Sequence, residues 1–282
     1  MEPKSKFIKA NGIRHHYLEW GSPDRRPLLM LHATGLCASP WQPVARELAR
    51  EFHVMALDQR GHGETDPSDC GYSFHLVGQD LAAVIQELGL SELSIIGHSS
   101  GGLAALMADS LLPGGIRRAL LVETRVGGRP DGAPPQELQE RAQRTRMKRA
   151  VWESRAAMYQ GYRTRAAFKD WMEDAFTAFI EGGTCLLDDG RAALRCPPDV
   201  EATFYETRDA LNVEEYLGRG LQGRYLLLLG NYPGCQTLTD YGVRRFLELV
   251  RYSQVKPVGR GSHFLPMEYP DLVLEEARAF FD

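Results

Sequence analysis

The decisive stretch is Leu93-Ser94-Ile95-Ile96-Gly97-His98-Ser99-Ser100-Gly101-Gly102-Leu103-Ala104-Ala105-Leu106. Residues 93–96 have the composition of a buried strand, and a helical pattern over 103–112 follows the turn G-H-S-S-G. A serine at the centre of G-x-S-x-G, between strand and helix, is the pattern of a nucleophile elbow. The reason is steric. Such a turn strains the backbone of Ser99 and lifts its hydroxyl above the sheet edge, and only small residues at 97 and 101 let the chain pass that closely. The helix starting beneath offers unbonded N–H groups to a developing negative charge.

Outward from the elbow, strand and helix signals alternate. Segments 6–10 and 13–19 read as strands joined at Asn11-Gly12, a hairpin dipeptide. Strands are also expected at 28–31, 53–57 and 118–122, with helices at 41–50, 74–88 and 103–112. The pattern changes after Glu123. Residues 126–135, VGGRPDGAPP, read as a linker. From about 136 to 217 only helical periodicity is visible, clearest over 136–159 and 166–180, with another helical stretch at 200–210. Strands return at 224–229 and 254–258, with helices at 241–250 and 271–281. The expected fold class is α/β: an about eight-stranded, mostly parallel sheet flanked by helices, with an all-helical lid inserted after the sixth strand. Residues 1–127 and 222–282 would form the core and 128–221 the cap.

The 282 residues suffice for one large domain or a core with an insertion. The formal net charge of −4 argues against the basic surface a nucleic-acid partner favours. None of the five cysteines stands in C-x-x-C, so neither a zinc site nor a redox motif is indicated, and free thiols in a reducing compartment are expected. The first 21 residues carry no apolar h-region, and no apolar run approaches the ~20 residues that span a bilayer. The expectation is a cytoplasmic protein with no nucleic-acid or membrane partner; a homodimer is left open. No metal-ligand cluster or phosphate loop stands out, so no cofactor is expected.

Together with the elbow, His32-Ala33-Thr34-Gly35, Asp58-Gln59-Arg60-Gly61-His62-Gly63 and Gly261-Ser262-His263-Phe264 give the chain its likeness: it resembles the capped serine hydrolases of the α/β-hydrolase fold superfamily. The resemblance covers the core in order, and the insertion stands where that family carries its lid. It implies acyl transfer with Ser99 as nucleophile. A serine hydroxyl needs an adjacent base, and His263 follows the last strand through a short Gly-rich turn, at the sheet edge where the elbow lies. One oxyanion donor would be the N–H of Ser100. In similar proteins the second comes from His-Gly-X, where X donates. Here Ala33 replaces the glycine, so Thr34 N–H is the first choice and Ala33 the second. His32 and His62 read as loop-packing residues.

The acid departs from the family pattern. Similar proteins carry it as G-x-x-D after the strand 224–229, but this chain reads Gly230-Asn231-Tyr232-Pro233. The next carboxylate, Asp240, stands at an expected helix start, where a capping role explains it. Glu123, ending the apolar strand LLVE, is preferred. Some related enzymes, haloalkane dehalogenases and zearalenone-type lactonases among them, take their acid from this strand, and a carboxylate buried there needs a partner.

The lid would exclude water and shape the pocket; its aromatic residues read mostly as its own core. Residues 141–169 hold seven Arg and two Lys against Glu153 alone, which reads as a solvated helix face rather than an attractor of anionic substrate. The expected reaction is hydrolysis of a small apolar ester or lactone through an acyl-enzyme. A carbon–carbon bond hydrolase or an acyltransferase shares Ser and His and stays open, as does a non-catalytic ligand receptor. Haloalkane dehalogenase and epoxide hydrolase chemistry needs a carboxylate at the elbow, and Ser99 argues against both.

Overall fold

The computed structural model describes residues 2–126, 136–207 and 213–282. Strands β1 (Lys4–Ala10) and β2 (Ile13–Trp20) pair antiparallel across Asn11-Gly12, both at positive φ as a tight hairpin turn demands. Then come β3 (Arg26–Leu31), α1 (Gln42–Leu48), β4 (Phe52–Leu57), α2 (Phe74–Glu87), β5 (Leu93–His98), α3 (Ser100–Leu111) and β6 (Ile116–Val122). The following stretch carries α4 (Gln136–Arg146), β7 (Val151–Trp152), α5 (Arg155–Arg163), α6 (Glu173–Gly182), β8 (Thr184–Leu186), β9 (Ala192–Leu194), α7 (Pro198–Thr207) and α8 (Val213–Leu217). The chain closes with β10 (Arg224–Leu229), α9 (Tyr241–Leu249), β11 (Ser253–Pro257), α10 (Leu265–Glu268) and α11 (Pro270–Phe281).

Eight strands form one sheet in the order β1-β2-β4-β3-β5-β6-β10-β11, and only β2 runs against the rest. Strand β3 shows why both faces are covered. Leu28 and Met30 join the cluster under α1 and α11, while Leu29 and Leu31 join the one under α2 and α3, and all four are fully buried. Each such leucine contributes about 1.5–3 kcal/mol by leaving water. After β3 the chain steps to β4 on one side, then crosses to β5 on the other. The loops leaving β3 and β5 therefore flank the crevice where strand order reverses, the place where open α/β sheets bind ligands.

The region between β6 and β10 differs in detail from the helical expectation. The helix foreseen over 136–159 is broken by β7, and the one foreseen over 166–180 starts only at Glu173. Strands β7, β9 and β8 form a small antiparallel sheet, with Asp188-Asp189-Gly190 turning the β8–β9 hairpin. Strands of two or three residues are too short to show alternation. The expected linker, apart from Val126, and the boundary at 128 lie outside the described residues. Among the described residues no helix is long and apolar enough to cross a membrane.

One buried ion pair anchors the loop after β4. Arg60, 1% exposed, grips Asp80 of α2 through Nε and Nη2 at 2.6 and 2.7 Å, and its Nη1 holds Ser68 Oγ and the Gly71 carbonyl. Asn11 Nδ2 donates to the same carboxylate at 2.7 Å, so the pair ties hairpin, loop and α2 together. Removing one partner strands a buried charge. Arg60→Met is expected to lower unfolding free energy by ~3–5 kcal/mol, read as a fall in the urea midpoint; an unchanged midpoint would show the pair to be dispensable.

Candidate active site

Ser99 sits between β5 and α3 at φ 53°, ψ −112°, a conformation forbidden to most side-chain-bearing residues. Its neighbours explain how the turn closes. A Cβ on Gly97 would lie 2.5 Å from the Gly102 Cα, and one on Gly101 would lie 2.5 Å from the Leu31 carbonyl oxygen. Gly102, which the G-x-S-x-G pattern does not include, is equally confined, by the Thr124 side chain. Ser99 N–H donates to the Val122 carbonyl at 2.9 Å, which fastens the elbow to the end of β6.

Ser99 and His263 are brought together as expected. Ser99 Oγ lies 2.9 Å from His263 Nε2, and His263 Nδ1 faces Glu123 Oε2 at 3.4 Å. With Nδ1–H directed at the carboxylate, Nε2 is left to accept the serine proton. The histidine loop is held from three sides. Ser262 donates to Glu268 through N–H, at 2.7 Å, and through Oγ–H, while Phe264 N–H donates to Ser262 Oγ. His98 donates its Nε2–H to the His263 carbonyl at 2.6 Å. Burial pushes His98 down to about 3, so it stays neutral and serves as that donor.

Glu123 follows β6 directly, at φ 53°, and is 1% exposed. Burial alone would raise its pKa, but bonds from His263, Tyr232 and Gly230 outweigh it and hold the carboxyl below its ordinary value. Gly230 N–H lies 2.5 Å from Oε1, and Tyr232 O–H 2.6 Å from Oε2. Tyr232 was missed in the sequence. The signal was its place beside Pro233, where an acid is expected: the loop that lacks the carboxylate supplies two donors to one. Asp240, the alternative, accepts instead from Thr237 N–H and Oγ–H at 3.2 and 2.9 Å.

The loop after β3 is organised by the two histidines read as packing residues. His32 donates Nδ1–H to the Ala33 carbonyl and accepts Gln59 N–H at Nε2. His62 donates to the Arg60 carbonyl and accepts Gly35 N–H at 2.9 Å. Gly35 N–H is thereby spent, whereas neither Thr34 nor Ser100 N–H has a hydrogen-bond partner among the described residues. Ala33, Thr34, Ser99, Ser100 and His263 line one cavity of about 670 Å³. Tyr162, Phe168, Phe179 and Phe264 form an aromatic wall. No group of three or more His, Cys, Asp or Glu among the described residues is placed to hold a metal ion.

The basic run between 141 and 169, mostly solvent-exposed, divides into side chains paired elsewhere and side chains that also line the cavity. Arg146, Arg149, Arg163 and Lys169 pair with Glu206, Glu153, Glu173 and Asp170, and Arg155 bonds Thr184. The other four, Arg141, Arg144, Lys148 and Arg165, line the cavity that holds Ser99. Arg141, Arg144 and Arg165 stay solvent-exposed, as a solvated face requires, and border the cavity as well; α4 packs on α7, distant in sequence, which sets Arg141 and Arg144 beside the site.

Among curated proteins, Epoxide hydrolase 4 of Homo sapiens is 31% identical over 117 residues, 41% of this chain and 32% of that protein. N-formylmaleamate deformylase of Pseudomonas putida is 33% identical over 132 residues, 46% of this chain and 49% of that protein. The chain thus spans about half or less of the length of these relatives. The solved structure of E-2-(acetamidomethylene)succinate hydrolase superposes with a TM-score of 0.82 at 19% identity, covering 99% of each chain, a likeness of fold. The model of the Alpha/beta hydrolase family matches residues 28–276, the sheet from β3 onward and everything described at the site, and the chain belongs to that family.

Proposed function

We propose that the chain is a serine hydrolase that cleaves a carboxylic ester or lactone through an acyl-enzyme. Ser99 is the nucleophile, His263 the general base and Glu123 the acid that orients it. The observation that carries this reading is the 2.9 Å contact from Ser99 Oγ to His263 Nε2, backed by a buried carboxylate facing Nδ1. In the first step Oγ attacks the carbonyl carbon as its proton moves to Nε2, and Glu123 stabilises the imidazolium that forms. The new oxyanion takes hydrogen bonds from Thr34 and Ser100 N–H at the start of α3, donors worth ~10²–10³-fold each in such sites. His263 then returns the proton to the leaving oxygen. Water, deprotonated by the same imidazole, releases the acid and regenerates Ser99.

The aromatic wall supports an apolar portion in the substrate. Likeness to Epoxide hydrolase 4 does not extend to epoxide opening through an enzyme ester, which needs a carboxylate where this chain has Ser99. Likeness to a deformylase favours a second reading, hydrolysis of an N-acyl amide by the same groups.

Two outcomes test the assignment. Ser99→Ala should lower kcat/KM across an ester and lactone panel by ~10⁴-fold or more and abolish covalent labelling by a fluorophosphonate. Absence of labelling in folded wild-type protein would remove the nucleophile. Glu123→Gln should lower kcat by ~10²–10⁴-fold at unchanged circular dichroism, whereas Asp240→Asn should stay within about twofold of wild type. The reverse pattern would move the acid to the loop after β10.

A further inference from the structure

The cavity at Ser99 has a second wall, and its chemistry is cationic. Arg125, Arg141, Arg144, Lys148 and Arg165 all line it, against one carboxylate among the lining residues, Glu201. Three of these on α4 and just beyond, 141, 144 and 148, recur at helical spacing, with buried Thr145 between them. Glu201 is itself buried and already held: Lys148 Nζ lies 2.5 Å away and Tyr205 O–H 3.3 Å. That pair cancels locally. Arg141 and Arg165 are different, because among the described residues neither has a carboxylate partner. Each guanidinium instead lies on a buried tyrosine ring, Arg141 at 4.3 Å from the Tyr205 centroid and Arg165 at 4.2 Å from that of Tyr162. Stacking of this kind holds the planar group in place while its N–H edge stays available.

The contrast with the rest of the basic run is the telling observation. Of the side chains that do not line the cavity, all but Arg155 have a carboxylate partner, as Arg146 has in Glu206 at 2.5 Å. Of those that line it, two have none. Unanswered charge concentrated at the mouth of a cleft, in a chain of net charge −4, raises the local concentration of anions there.

We propose that the substrate carries an oxyanion group, a carboxylate in the first instance, which Arg141 and Arg165 bind while Ser99 attacks a carbonyl at the other end of the same small molecule. Arg141 and Arg165 are then specificity-determining residues. The inference rests on the hydrolase reading above, and it adds the substrate's charge. Phosphate monoesters share the recognition chemistry, since a guanidinium fork fits both groups.

The test compares three p-nitrophenyl esters of similar length, ending in a carboxylate (mono-p-nitrophenyl glutarate), in its neutral carboxamide (p-nitrophenyl glutaramate), and in a phosphonate (p-nitrophenyl 4-phosphonobutanoate). The wild-type chain should favour the carboxylate over the carboxamide in kcat/KM by about tenfold or more, chiefly through KM. Salt should erode that preference, because rim charges are screened at ~1 M ionic strength. In Arg141→Met/Arg165→Met the ratio should fall to near one. A larger preference for the phosphonate would assign the site to phosphate-bearing substrates. Equal use of carboxylate and carboxamide, or an unchanged ratio in the double variant, would overturn the proposal while leaving the Ser99 mechanism standing. Calorimetric titration of glutarate into Ser99→Ala protein, with and without the arginine substitutions, keeps the question decidable should no ester be turned over: heat lost with the arginines supports the proposal, and no binding by either protein overturns it.

Discussion

The structure turns on the backbone of Ser99, held in a conformation that costs of order 1–3 kcal/mol. Three glycines make it attainable. Gly101 lies against the Leu31 carbonyl, Gly97 against Gly102, and Gly102 against Thr124, so α3 sits close on β3, β5 and the end of β6. The fully buried aliphatic residues of these strands, Leu29, Ile95 and Leu121 among them, offset the strain. The same turn registers the carboxylate. Ser99 N–H is bonded to the carbonyl of Val122, and the next residue is Glu123. Ser99 and Glu123 are thus placed by adjacent strand ends rather than by independent loops.

Across the cleft the histidine needs separate support, because it stands on a loop. Glu268 fixes Ser262 and neutral His98 holds the His263 carbonyl, while Glu123 meets the ring. The carboxylate is satisfied in turn by Gly230 and Tyr232. A buried acid with three donors remains ionised at the pH where an imidazole works, which is what stabilising an imidazolium requires.

Much of this was legible in the sequence, for local reasons. G-x-S-x-G between strand and helix is a steric requirement confined to five residues, and apolar runs or alternation bounded by turn residues marked all eight strands of the main sheet. Glu123 could be read from a local anomaly, an acid ending an apolar strand, joined to Pro233 standing where an Asp is expected. What escaped notice depends on contacts distant along the chain. Tyr232 matters only because β10 lies beside β6, and the face of α4 acquires its meaning only once α4 packs on α7. The small sheet escaped because its strands, two or three residues long, are too short to display alternation.

The carboxylate's position just after β6 bears on how the molecule can change. In this chain the segment after β10 supplies hydrogen-bond donors at Gly230 and Tyr232, while Pro233 and Gly234 beyond them border the cavity. If Glu123 is the acid, as proposed, that segment carries no catalytic charge and can drift past Tyr232 in length and composition. Such drift would re-sculpt the entrance without disturbing proton transfer, leaving substrate choice and catalytic chemistry open to selection as separate traits.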